Sequence, residues 1–184
     1  MKSIFYIFFL LPAICFGQTN VDSLFNVWET SDNDTNRLYA LNTLADLTKN
    51  VNLDSSYNLA KLGAEEAHRL GETWHEANFY NLMGIARKNQ KKFAEAIECY
   101  NKTIELRTDM NDSMGLAGIN HNLANVYRGI FEYEPSMEHY AKALSINEAI
   151  GNKKWIINNY TGIGILYKVQ EDYEHALIYY RKAV

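Results

Sequence analysis

The sequence predicts an all-α solenoid of stacked antiparallel helical hairpins, and three observations predict it. One stretch recurs every 40 residues without a gap: KKFAEAIECYNKTI (91–104), FEYEPSMEHYAKAL (131–144) and EDYEHALIYYRKAV (171–184). Each recurrence carries two apolar faces at helical spacing. The boundaries between repeats fall on Gly71, Asn111 and Gly151, 40 residues apart and of residue types that tolerate the left-handed conformation closing a helix. Repetition at such a period marks units that bury their apolar faces only by stacking on neighbours.

The residues before the first helices set the N-terminal boundary. MKSIFYIFFLLPAICFG (1–17) has one cation, Lys2, then an apolar run from Ile4 to Ile14, with Cys15 and Gly17 as small residues before Gln18. This is the pattern of a secretory signal peptide cleaved after Gly17. The run is too short to span about 30 Å of hydrocarbon. Two alternatives stay open: lipid attachment at Cys15, which Ile14 just before it fits poorly, and an uncleaved anchor. Cleavage would leave Cys99 as the remaining cysteine, so export would bring no internal disulfide and stability must come from packing.

VDSLFNVWETSDND (21–34) alternates apolar Val21, Leu24, Phe25 and Trp28 with polar residues and reads as a short capping helix and turn, within a boundary of 18–36. A weaker copy of the repeat follows from about residue 37 to 70. DSSYNLAKLGAEEAHRLG (54–71) fits the second-helix pattern with Ser56, Ala60 and Gly63. LYALNTLADL (38–47) is apolar at helical spacing but lacks the small residue in register.

The next three copies run over about 71–110, 111–150 and 151–184, the last incomplete. Tyr80, Met83, Gly84 and Arg87 lie at i, i+3, i+4 and i+7, one face of a first helix. Asn120, Leu123, Ala124 and Tyr127 repeat that face, as do Tyr160, Ile163, Gly164 and Tyr167. Phe93, Ala96, Ile97, Tyr100, Thr103 and Ile104 form the second-helix face, and Tyr133, Ser136, Tyr140 and Ala143 or Tyr173, Ala176, Tyr180 and Ala183 repeat it. A small residue facing a bulky one lets two helices approach closely. Short polar turns, KNQKK, RGIFE and KVQED, join the two helices. Pro135 falls in a first turn, where its missing N–H costs nothing.

These residues resemble the tetratricopeptide repeat (TPR) in a 40-residue form, over about residues 37–184. Gly84, Ala124 and Gly164 match the small residue at position eight of that repeat. Ala96, Ser136 and Ala176 match position twenty, and Tyr100, Tyr140 and Tyr180 the aromatic at twenty-four. Arg87 departs from the usual aromatic and Thr103 from the usual alanine. The resemblance implies a right-handed superhelix whose concave wall is built by positions two, five, nine and twelve. Those positions are Asn78, Asn81, Ile85 and Lys88; Gly118, His121, Asn125 and Arg128; and Asn158, Thr161, Ile165 and Lys168.

The resemblance thus implies a protein or peptide partner. Asparagine offers a donor and an acceptor to an extended backbone. Lys88, Arg128 and Lys168 would make a positive stripe for a carboxylate or acidic segment. Beyond Asn125 the set does not match the carboxylate clamp of chaperone-binding TPR domains. The bland reading of these residues is a solvated groove without a defined ligand.

No catalytic grouping is legible, and neither an enzyme activity, a cofactor nor a metal is expected. Cys99, between Glu98 and Tyr100, reads as a half-exposed structural thiol. The five histidines form neither an i, i+4 pair nor a HExxH helix. No GxSxG elbow or phosphate-binding glycine motif is present. The net charge of −4 is spread without a basic block, which disfavours nucleic acid as a partner.

The leader, the DSLFNVW opening, Asp34–Thr35 and the 54–71 stretch together resemble exported bacterial TPR sensors. In those, TPR units precede a membrane helix and a histidine kinase or helix-turn-helix output. The expectation is therefore an exported, periplasmic or extracellular interaction module, the sensing N-terminal part of a longer signal-transduction protein, meeting a membrane only through a segment after residue 184. The alternative is a self-contained secreted or periplasmic adaptor or scaffold; under either reading the open face of the last repeat offers a surface for self-association. NLANVY resembles cytosolic 40-residue TPR scaffolds, a location the leader argues against.

Overall fold

A computed structural model describes residues 18–184, so the leader 1–17 lies outside the described residues. Among them the chain forms α1 Gln18–Thr30, α2 Asp34–Thr48, α3 Leu53–Leu70, α4 Thr73–Asn89, α5 Phe93–Asp109, α6 Ser113–Gly129, α7 Tyr133–Ala149, α8 Lys153–Val169 and α9 Tyr173–Lys182. No described helix is long and apolar enough to cross a membrane. The described residues divide into two compact units, one ending at Ala96 and the other Ile97–Val184. In the first, α1 packs on α2, α2 on α3 and α4, and α3 on α4. In the second, α6 packs on α7 and α8, α7 on α8, and α8 on α9. This is the expected all-α hairpin architecture.

Each repeat ends as its sequence dictates. Gly71, Asn111 and Gly151 have φ of 73°, 55° and 70°. The next residue's N–H reaches back over that turn: Glu72 to the Ala67 carbonyl, Asp112 to Arg107 and Asn152 to Asn147, each at 2.9 Å. This bond satisfies a carbonyl the helix end would leave open. The polar residue after each stop then opens the following helix. Asp112 accepts from the Gly115 N–H at 2.9 Å and Asn152 from Trp155 at 3.5 Å, capping α6 and α8.

The turns inside the hairpins hold a second left-handed residue that the sequence does not announce. Lys91, Phe131 and Glu171 have φ of 61°, 66° and 63°. Across them Lys92 N–H reaches Arg87 O at 2.9 Å, Glu132 reaches Tyr127 at 2.9 Å and Asp172 reaches Tyr167 at 3.0 Å.

The first hairpin lacks this feature. Asn52 N–H bonds the Thr48 carbonyl at 2.9 Å, one residue closer, and α2 begins at Asp34, ahead of the expected boundary at 37. The consequence corrects the reading of 38–47. Ser56 Oγ donates to the Ala45 carbonyl at 2.8 Å, just as Ser136 Oγ donates to Ala124 at 2.8 Å. Ala45 is therefore the small residue of the first hairpin. It is fully buried and shifted by one residue because the bond closing the turn spans one residue fewer.

In the second unit Ala124, Tyr140, Ile163 and Leu166 form one core cluster, with Tyr133, Met137, Leu144, Tyr167 and Tyr179 packed against it. A Cβ added at Gly164 would stand 2.6 Å from the Tyr180 ring, and one at Gly162 would stand 2.5 Å from Tyr140. The small residues thus admit bulky rings of the neighbouring second helices. Ala176 is buried as expected, but Tyr173 is 64% exposed rather than core. Cys99 is buried, not half-exposed, because its helix face turns it inward beside wholly buried Tyr100.

Candidate functional site

On α6, His121, Asn125 and Arg128 sit at i, i+4 and i+7, so one face presents all three, each half-buried. A hydrogen-bond chain joins them to the two helices packed on α6. Asn125 Nδ2 donates to the His121 carbonyl at 3.0 Å. Asn125 Oδ1 accepts twice, from the Tyr140 hydroxyl of α7 at 2.8 Å and from Arg128 Nη2 at 3.0 Å. Tyr140 is wholly buried. Burial holds its hydroxyl above the usual phenol range against the opposing charge of Arg128, so it stays a donor. Arg128 Nη1 is buried without a partner in the protein.

His121 anchors the same face to α8. Its Nδ1 donates to Asn159 Oδ1 at 2.8 Å. Its ring meets Tyr140 and Trp155 edge-on, at centroid distances of 5.4 Å and 5.3 Å. On α8, Asn158, Thr161 and Ile165 are half-buried, and Thr161 spends its hydroxyl on the Ile157 carbonyl at 2.9 Å. In the first unit Asn78, Asn81, Ile85 and Lys88 of α4 are likewise half-buried.

The three cations at position twelve stand in different surroundings. Burial lowers the Lys88 amine below its ordinary pKa, Arg128 is hydrogen-bonded and half-buried, and Lys168 stands exposed. The Asn125 oxygen is shared by Tyr140 and Arg128.

Sequence reasoning missed Tyr140, Trp155 and Asn159 as members of this face. Asn159 carried a usable signal: its repeat equivalents are the buried apolar Phe79 and Ile119, and it too is fully buried. A polar residue at a core position of one repeat needs a partner, here His121. Tyr140 carried none, since Tyr100 at the same repeat position has a buried hydroxyl with no partner. Among the described residues no group of three or more His, Cys, Asp or Glu is placed to hold a metal ion.

A family model described as tetratricopeptide repeat matches residues 75–149 and 115–184. No curated protein matches the chain. Among solved structures, BtubC (BKLC) from P. vanneervenii superposes with a TM-score of 0.77 at 17% identity, over 90% of this chain and 70% of that one. The apo form of RapI gives 0.76 at 16% identity, over 90% and 48%. Nearly identical TPR-like repeats from Podosopora anserina give 0.69 at 15% identity, over 90% and 86%. At these identities the likeness is one of fold.

Proposed function

The chain belongs to the tetratricopeptide-repeat family, and from that premise we propose that it is an exported module that holds an extended peptide segment on its first-helix faces and forms the sensing part of a longer signal-transduction protein. Repeats of this kind are protein–protein interaction modules. The observation that carries the peptide reading is the α6 face, where His121, Asn125 and Arg128 stand half-buried in a row. Half-buried polar groups along one helix face suit a ligand that follows the helix and exchanges hydrogen bonds along its length.

Export and sensing rest on the sequence: the leader 1–17 for the first, the sensor-like 21–34 and 54–71 stretches for the second. Three measurements test the reading. The secreted protein should begin at Gln18 by mass spectrometry. The coding sequence past codon 184 should continue into an apolar segment and an output domain. Photocrosslinkers at Asn125 and Thr161 should capture a peptide-bearing partner that crosslinkers at exposed Glu138, outside this face, do not. A stop codon after 184 would favour the self-contained adaptor. Equal labelling from all three positions would reject the face.

A further inference from the structure

We propose that Tyr160 of α8, Tyr179 of α9 and Glu148 of α7 form a binding site for an alkylammonium cation, which the chain's own Lys182 occupies until a ligand displaces it. The site lies on other residues than the first-helix face, so neither reading depends on the other.

The two rings meet at 44° with their centres 6.2 Å apart. The Lys182 ammonium stands over both, 4.9 Å from the centre of Tyr179 and 5.7 Å from that of Tyr160. A ring face is the negative side of an aromatic quadrupole and attracts a cation within about 6 Å. Glu148 strengthens that attraction. The Tyr160 hydroxyl donates to its Oε1 at 3.1 Å, and a donor polarised by a carboxylate holds more electron density on its ring. Partial burial and the bond to Glu148 hold the Tyr160 hydroxyl above the usual phenol range, so it stays a donor.

Lys182 reaches the rings because its ordinary partner is missing. At the same repeat position Lys142 pairs with Glu138, one turn earlier on α7, at 2.6 Å. In α9 that acid is replaced by Ile178. Earlier repeats do not offer two rings. The places of Tyr160 and Tyr179 are taken by Asn120 and His139, which bond each other at 2.9 Å, and before those by Tyr80 and Cys99. The cation site is thus confined to the last repeat.

The place is accessible, and Lys182 fills it loosely. Lys182 and Glu148 are exposed and both rings are half-buried. Lys142 stays 53% exposed although α8 and α9 follow it, so stacking of a further repeat leaves this position open to solvent. The flat Arg87 guanidinium comes within 3.4 Å of its ring centre, whereas the Lys182 nitrogen stands further out from both of its rings. A primary ammonium is strongly hydrated and gives up its water reluctantly. An ammonium carrying methyl groups holds less water, and its carbons fill the gap against the rings, which is the cation that aromatic faces select. Lys182 is then a tethered competitor for the ligand.

Tetramethylammonium and tert-butanol, similar in shape and different in charge, test this by 13C NMR of the tyrosine rings at constant ionic strength. Tetramethylammonium should shift the Tyr160 and Tyr179 signals saturably, and tert-butanol should not. Lys182→Ala removes an exposed side chain and should tighten that binding about two- to fivefold, the scale of one exposed cation–π contact. Tyr179→Leu should abolish the saturable shift at Tyr160 while helical circular dichroism is kept, and if that variant unfolds the Lys182→Ala comparison decides. Choline and blocked trimethyllysine distinguish a free small cation from a methylated side chain of a partner, the tighter binder naming the source. The absence of a saturable shift in both the parent and Lys182→Ala overturns the site, and so does an equal shift with tert-butanol. Unchanged affinity in Lys182→Ala overturns the competitor role.

Discussion

The guanidinium of Arg87 lies 3.4 Å from the centre of the Tyr57 ring. Arg87 occupies the repeat position of Tyr127 and Tyr167, which stack instead on rings of their own second helices. Tyr127 lies 5.4 Å from His139, and Tyr167 lies 5.4 Å from Tyr179 and 5.1 Å from His175. Arg87 Nε also meets Glu95 at 2.8 Å, and Glu95 is the repeat equivalent of His175. One repeat therefore uses a cation and a carboxylate where another uses two stacked rings. The departure from the aromatic consensus is compensated by Tyr57 and Glu95. In a double-mutant cycle, Arg87→Ala and Tyr57→Leu should show a coupling of about 0.5–2 kcal/mol in chemical denaturation. Additive losses would mean that the stacked geometry carries no energy.

Two glycines on first helices should respond in opposite directions. Gly164→Leu drives its side chain into the Tyr180 ring and should cost about 1–3 kcal/mol. Nothing stands within 4 Å of a Cβ added at Gly118. Gly118→Ala should stabilise α6 by about 0.5–1 kcal/mol, because alanine loses less backbone freedom in a helix. Thermal unfolding of the two variants against the parent reads both signs. A stable Gly164→Leu protein would mean that α8 and α9 can separate there at no cost.

His139 should make stability depend on pH. It lies stacked on Tyr127, and its Nδ1 donates to Asn120 Oδ1 at 2.9 Å. Burial, then the charge of Lys142, lowers its pKa below the ordinary 6.5. Between the folded value and 6.5 the unfolded chain binds a proton that the folded chain does not. The stabilisation is thus complete above about 6.5, the unfolded value, and is lost as pH falls towards the folded value. Unfolding midpoints taken from pH 7.5 to 5 should fall, and His139→Gln should flatten part of that fall. A parallel curve for the variant would assign the pH dependence to other groups.

The repeat period made the fold legible because packing forces the same residue sizes to recur. Ala124 and Gly164 recur since Tyr140 and Tyr180 need the same gap in their hairpins. The first hairpin escaped that logic through its turn. The stretch from the small residue to the serine it accepts from is one residue shorter in the first hairpin (Ala45 to Ser56 against Ala124 to Ser136), which moves the small residue from position 44 to Ala45, and a fixed period cannot show such a deletion. The candidate site was legible only as a row of positions. That Asn125 is bound by Tyr140, and His121 by Asn159, depends on which side chains meet across helices, and those pairs have no spacing in the chain.

Phe131 gives the sharpest conflict between sequence preference and structure. It sits in the turn between α6 and α7 with φ at 66°, and it is 75% exposed. A left-handed conformation costs a bulky L-residue about 1–2 kcal/mol, because its Cβ crowds the following carbonyl. Its compensation is small: an edge contact with Tyr133 at a centroid distance of 6.4 Å, on a ring mostly in water. An aromatic pair contributes about 0.5–1.5 kcal/mol when packed, and this one, mostly in water, should fall at the low end, so the strain should win. Phe131→Asn relieves it with a residue that tolerates the left-handed region and does not loosen the unfolded chain as glycine would. The unfolding free energy should rise by up to ~1 kcal/mol for Phe131→Asn, and by less for Phe131→Gly. A loss in both would mean that the ring contributes more than the backbone costs, and that the Phe131–Tyr133 edge contact holds the hairpin turn.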